Sequence, residues 1–200
     1  MKLVWKGKYE NEKQLLIGNL PENAVKFKEP GTPLMLNLVA SIFIIPVFVI
    51  MGIAGFIKFH SELNIFSFYQ FNILGMLLAV LMVIPHEILH AIVFPKGAEV
   101  QIWYYSKGFM AFIFSTCPIS KFRFIFLSLL PNIIFGLIPL IVWIFIPLKF
   151  DAVSKVVFSF AFFSLLFGIG DYLNVFNATI QMPKNSLTQL YGFNSYWFPK

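Results

Sequence analysis

The chain has 200 residues, of which 58% are hydrophobic and 12% charged, and its mean hydropathy is +0.80. These values exclude a soluble globular domain and predict an integral membrane protein. The net charge of +6 does not indicate nucleic-acid binding, because the lysines flank apolar segments and form no basic stripe with interleaved aromatic residues.

The first 33 residues are polar and rich in lysine, and they contain no cleavable signal peptide. Four later segments are apolar and long enough to cross about 30 Å of hydrocarbon as helices. They are residues 34–58, 71–95, 122–147 and 153–176. These segments predict a membrane domain of four helices.

Between the second and third spans, residues 97–116 are rich in aromatic and β-branched side chains and are interrupted by Ser106-Lys107-Gly108. This pattern predicts a β-hairpin with strands at about 98–105 and 109–115, near the membrane surface; the alternative is a loop that dips into the membrane. The polar tail, 177–200, carries scattered aromatic residues and is expected to lie along the interface. The predicted fold class is therefore an all-α polytopic membrane protein with one small hairpin.

Three parts are expected along the chain: a cytoplasmic segment at 1–33, a four-span membrane domain at 34–176, and a cytoplasmic interfacial tail at 177–200. The distribution of basic residues sets the orientation. Twelve of the fifteen lysines and arginines fall before the first span, between the second and third spans, or after the fourth. The positive-inside rule then places both termini and the hairpin in the cytoplasm of a multi-pass cell-membrane protein.

Residues 84–91 read Ile-Pro-His-Glu-Ile-Leu-His-Ala and place a His-Glu-x-x-His motif inside the second span. On a helix His86 and His90 lie one turn apart on one face, so both imidazoles can bind one Zn²⁺ while Glu87 stands beside the open coordination position. Cys117 is the single cysteine, which excludes a thiolate cluster. The expected site uses nitrogen and oxygen ligands, with Glu87 as the catalytic base of a peptide hydrolase.

Asp171 in the fourth span is the candidate third zinc ligand. If both spans run toward the cytoplasm, His90 lies roughly 6 to 8 Å and Asp171 roughly 8 Å from the cytoplasmic ends, at about 1.5 Å per residue. One alternative makes Asp171 a residue that orients His86 or His90. Another makes the whole His/Glu/Asp cluster a proton relay or the ion site of a non-proteolytic membrane protein.

The chain resembles the site-2 protease class of intramembrane zinc metalloproteases. It is more closely similar to small bacterial membrane proteins classed as zincin peptidases of unknown function. The resemblance covers roughly 71–180: the His86-Glu87-x-x-His90 motif, the hairpin after it, Pro131-Asn132 in the third span, and Gly170-Asp171 in the fourth.

The site-2 protease resemblance implies a membrane-associated β-sheet after the metal helix and an Asp ligand in a later span. It also implies a membrane-embedded or membrane-adjacent polypeptide as substrate. The residues around that Asp are usually Asn-x-x-Pro-x-x-x-Leu-Asp-Gly, whereas here they run from Leu166 through Gly168, Gly170 and Asp171 to Asn174. The missing amide could come from Asn132, Asn174 or Asn177, with Asn132 and Asn174 as the candidate substrate-positioning residues. The sequence does not determine the oligomeric state.

Overall fold

A computed structural model describes residues 1–59, 70–106 and 110–200 of the chain. It separates into two compact units. The sheet unit comprises residues 1–32, 83–130 and 174–200, and the helical unit comprises residues 33–82 and 131–173.

Strands and helices alternate in groups along the chain. The strands are β1 (Lys2–Lys8), β2 (Val25–Lys26), β3 (Glu99–Tyr105), β4 (Met110–Phe114), β5 (Ile119–Ser120), β6 (Ser186–Tyr191) and β7 (Asn194–Pro199). The α-helices are α1 (Pro33–Ala40), α2 (Ile44–Phe59), α3 (Ile73–Leu81), α4 (Val83–Ile92), α5 (Lys121–Pro131), α6 (Ile138–Phe145), α7 (Asp151–Phe167) and α8 (Ile169–Gln181). A π-helical segment, Asn132–Leu137, joins α5 to α6.

The strands form two sheets, both within the sheet unit. The first has the order β1-β3-β4, with β1 parallel and β4 antiparallel to β3. The second is antiparallel and has the order β2-β7-β6-β5. In the first sheet Val100 and Ile102 are almost fully buried. The ring of Tyr9 packs edge-on against those of Trp103 and Phe112. Burial of these apolar and aromatic side chains stabilises the first sheet.

The predicted all-α fold class is wrong, because the described residues form two sheets of three and four strands. The two hairpin strands are present as β3 and β4, although residues 107 and 108 of the predicted turn lie outside the described residues. The missing strands lie in the polar termini. Lysines mask the strand pattern of β1, and β1 becomes a strand by pairing with β3, far away in the sequence.

The C-terminal tail forms a hairpin of β6 and β7 whose turn is closed by the pair Tyr191 and Asn194. Gly192, the first central residue of this turn, has a φ of 55°. Primed hairpin turns need such a left-handed φ at that position, and glycine adopts it without a steric penalty. The tail therefore carried a hairpin signal that its polar composition concealed.

Three helices are long and apolar enough to cross a membrane: Leu34–Phe59, Lys121–Phe145 and Leu148–Phe167. A fourth candidate span arises if Ile73–Leu81 and Val83–Ile92 are counted together. Within the helical unit α3 packs against α7, and a Cβ on Gly75 would collide with the backbone of α7 at Val156. Small residues of this kind allow close approach of membrane helices.

The fourth predicted span, 153–176, is interrupted. Helix α7 ends at Phe167, and after Gly168 a separate helix, α8, begins at Ile169. The backbone N–H groups of Asp171 and Tyr172 donate to the carbonyl of Gly168 at 3.0 and 3.2 Å, which forms the first turn of α8. Asp171 is therefore not part of a continuous fourth span, and the predicted depth match with His90 loses its basis.

Candidate metal centre

The His-Glu-x-x-His motif lies on α4, in the sheet unit. The rings of His86 and His90 meet edge to face, with centroids 4.8 Å apart and an interplanar angle of 82°. The potential ligand atoms of His86, Glu87 and His90 all lie within 4.8 Å of one another. The helical spacing thus brings together the three residues that the sequence predicts to act together.

The imidazole of His90 is fixed by the backbone of α5. Its Nδ1 lies 2.8 Å from the carbonyl oxygen of Leu127, and this contact is buried. Because a carbonyl oxygen can only accept, Nδ1 carries the proton and donates. The lone pair is then on Nε2, which is the tautomer that presents Nε2 to a metal ion.

The site is shielded from water on the side of Glu87 and His90. These side chains are 9% and 4% exposed, whereas His86 is half-buried. Helix α4 also packs against β4, the outer strand of the first sheet among the described residues. In such a partly dry environment, a carboxylate and two imidazoles interact more strongly with a cation than they would in water.

Asp171 lies in the helical unit, in the first turn of α8. Its Oδ2 accepts a hydrogen bond of 2.9 Å from Nδ2 of Asn132, which is 2% exposed. Oδ1 of Asn132 in turn accepts a hydrogen bond of 2.9 Å from the hydroxyl of Tyr172. Asp171 and Asn132 are thus brought together within one unit.

The other predicted asparagine, Asn174, lies half-buried on α8 in the sheet unit. Asn177, one turn further along α8, accepts a hydrogen bond of 3.1 Å from Gln181. Of these three amides, Asn132 has the hydrogen bond to a predicted metal ligand. The substrate-positioning role of Asn132 and Asn174 stays a prediction.

A family model described as "Putative zincin peptidase" matches residues 79–187, which include the motif, the first-sheet strands β3 and β4, and Asp171. The chain belongs to this family. The zincin peptidases are a family of zinc metallopeptidases, and the predicted resemblance to small zincin peptidases is confirmed. Neither the curated proteins nor the solved structures contain a match to the chain.

The zincin motif of this chain fits the zinc ion that the family implies. Two nitrogens on one tetrahedral zinc lie about 3.3 Å apart, so small side-chain rotations bring His86 and His90 to that separation. The Nε2 lone pair of His90 is available, because Nδ1 is bonded to Leu127. Burial raises the pKa of the Cys117 thiol, and nearby Arg123 opposes this only in part. A protonated thiol is a poor zinc ligand, which leaves nitrogen and oxygen donors for this zincin site.

Sequence reasoning missed three contributors to the zincin site and its surroundings. The Leu127 carbonyl is a backbone group, and every residue type carries one. Tyr172 follows Asp171 directly, but its contact with Asn132 joins different helices. Gly168 could have been found, because a glycine near a predicted polar ligand often marks a close approach of another group.

Proposed function

We propose that the protein is an intramembrane zinc endopeptidase of the site-2 protease type, which hydrolyses peptide bonds of membrane-embedded or membrane-adjacent polypeptides. One observation carries the proposal. The buried group His86, Glu87 and His90 lies on α4, which together with α3 has the length and composition of a membrane span. Ionisable residues in such a segment are costly and are kept for function.

The proposed zinc ligands are His86, His90 and Asp171, with one coordination position left for the reaction. Zincins require a third ligand besides the two histidines of the motif. Ligating carboxylates are themselves held by hydrogen bonds, and the bond that Asn132 donates to Asp171 supports this assignment. A zinc ion bound there supplies Lewis-acid activation of a peptide carbonyl and of water.

The side chains of the motif have distinct tasks in this mechanism. The carboxylate of Glu87 accepts a proton from the attacking water and delivers it to the amine that leaves. His90 is held in the required tautomer by Leu127, so its orientation does not change as the proton moves. The burial of Glu87 keeps bulk water from competing for that proton.

The test of this function must work without a known substrate. Membrane proteins reconstituted with the purified protein are incubated with zinc or with a strong chelator, and new protein termini are then identified by mass spectrometry. We expect zinc-dependent termini that cluster within or beside transmembrane segments. New termini confined to soluble segments would contradict the intramembrane substrate, and the absence of any zinc-dependent terminus would contradict peptidase activity.

We also propose that both termini and residues 96–123 lie on the cytoplasmic side of a cell membrane. Strand pairing supports this arrangement. Because β1 pairs with β3, β2 with β7 and β5 with β6, all of these strands must lie on one side. An even number of spans must then separate β2 from β3 and β5 from β6. The apolar segments supply two in each interval, if α3 and α4 count as one.

Two exposed lysines provide a matched test of this orientation, Lys149 between α6 and α7 and Lys184 after α8. Each is replaced by cysteine in a Cys117→Ser background, and intact cells are treated with a membrane-impermeant maleimide. We expect Lys149→Cys to be labelled on intact cells and Lys184→Cys only after permeabilisation. The reverse pattern would invert the proposed topology.

A further inference from the structure

Asp171 is part of a short hydrogen-bonded chain inside the helical unit. The amide of Asn132 donates to Oδ2 of Asp171 at 2.9 Å and accepts from the Tyr172 hydroxyl at 2.9 Å. The same hydroxyl lies 3.2 Å from the carbonyl oxygen of Leu165, at the end of α7. The chain therefore links the carboxylate to the backbone of a neighbouring helix through two side chains.

The chemistry of the partners fixes the direction of these hydrogen bonds. An ionised carboxylate only accepts, so the Asn132 atom that faces Asp171 must be the NH₂ group. The amide oxygen then faces Tyr172, and the hydroxyl must donate to it. Since Tyr172 has one hydroxyl proton, the shorter contact with Asn132 is the stronger bond and Leu165 is the weaker alternative acceptor.

The backbone around Asn132 is shaped to hold this amide. The π-helical segment begins at Asn132, directly after Pro131, whose ring lacks the N–H of a regular helix. Short π-helical segments occur frequently at functional sites. On the opposite side, a Cβ on Gly168 would collide with the side-chain amide of Asn132. Asn132 thus lies in a slot that only glycine at position 168 leaves open.

These observations describe an amide that is buried, engaged at both ends and enclosed by specialised backbone. We propose that Asn132 is a positioning residue that holds Oδ2 of Asp171 and presents Oδ1 as the zinc ligand, and that Tyr172 holds Asn132 in this orientation. The inference rests on the proposed function, since it requires Asp171 to be the third ligand. It assigns Asn132 to the metal site and not to the substrate.

The inference predicts graded losses of zinc affinity. Partners that orient metal ligands typically contribute about 10- to 100-fold to metal affinity. Asn132→Leu, which keeps the volume and removes both hydrogen bonds, should therefore weaken zinc binding by about 10- to 100-fold. Tyr172→Phe removes one hydroxyl a step further away and should weaken it by at most about 10-fold. Asp171→Ala should weaken it more than either.

The experiment measures zinc affinity of the purified full chain by competition with a chelator, together with the melting temperature of each metal-free variant. Ser154→Ala is the matched control. It removes a different buried hydrogen bond of the helical unit, the one that Trp143 donates to Ser154 at 2.9 Å. We expect Ser154→Ala to retain wild-type zinc affinity even if it lowers the melting temperature, because a general loss of packing does not act on the metal.

Each outcome separates the positioning role from the function beneath it. If Asp171→Ala retains wild-type affinity, the proposed ligand set is wrong. If Asp171→Ala loses zinc while Asn132→Leu and Tyr172→Phe bind like Ser154→Ala, the ligand set stands and the positioning role is overturned. If Asn132→Leu raises KM with unchanged zinc affinity, Asn132 contacts substrate. Should Asn132→Leu fail to fold, Tyr172→Phe still decides the matter, because it deletes a single hydroxyl.

Discussion

Replacing Glu87 by glutamine is expected to reduce peptide cleavage by roughly 10²- to 10⁴-fold while zinc binding is retained. The amide of glutamine matches the carboxylate in shape, so the buried position on α4 remains filled. It cannot accept the proton of the attacking water, and the hydrolytic step then lacks its base. Zinc content and the rate of cleavage, measured on the same purified sample, should therefore separate.

Glu99→Gln is the matched control for this change. Glu99 is exposed at the start of β3, where its carboxylate accepts a hydrogen bond of 3.1 Å from Gln101. The same isosteric substitution there should leave cleavage within about twofold of wild type, because surface changes away from the site rarely have large effects. Cleavage by Glu87→Gln at the wild-type rate, after contaminating proteases are excluded, would rule out Glu87 as the base.

The metal-binding motif could be predicted because its geometry is local. A spacing of four residues on any helix places two side chains on one face, so the proximity of His86 and His90 needs no knowledge of the remaining fold. The hydrogen bond from His90 to Leu127 joins residues 37 positions apart on different helices. It uses a backbone carbonyl, a group that the sequence does not distinguish from any other.

The sheets were mispredicted for a related reason. A half-buried strand carries its own alternating pattern, but β1 has a lysine at three of its seven positions and pairs with β3 more than 90 residues later. The long apolar spans dominate the hydropathy signal, so the short polar termini were assigned to unstructured segments. Distant strand pairing of this kind depends on tertiary contacts and not on local propensity.

The position of Asp171 shows how a small backbone feature escapes hydropathy. Residues 153–176 read as one apolar segment, and the interruption depends on Gly168, where the helix ends and the amide of Asn132 needs the space of a missing Cβ. Glycine lowers helix propensity by about 1 kcal/mol relative to alanine, which alone does not predict a helix end. The close approach of another side chain makes the break necessary.

The second large effect concerns the metal itself. His90→Ala should reduce zinc from about one ion per chain to a small fraction, because the imidazole donates its Nε2 lone pair and no neighbouring atom replaces it. Structural zinc sites with four ligands bind with about 10–16 kcal/mol, so one ligand accounts for on the order of 3–4 kcal/mol, or several hundred-fold in affinity. Elemental analysis and chelator competition on the purified protein measure both quantities.

The control is His60→Ala, since His60 is the remaining histidine of the chain and lies in sequence beyond the first apolar segment, outside the motif. That variant should keep wild-type zinc content. His90→Ala also removes the hydrogen bond to Leu127 and leaves a cavity, so its metal-free melting temperature is compared with that of Leu127→Ala, which alters packing at the same contact and keeps the backbone carbonyl. If Leu127→Ala binds zinc normally at equal or lower stability while His90→Ala does not, the loss reflects ligation and not unfolding. Wild-type zinc affinity in His90→Ala would remove His90 from the metal site and with it the zincin mechanism proposed for this chain.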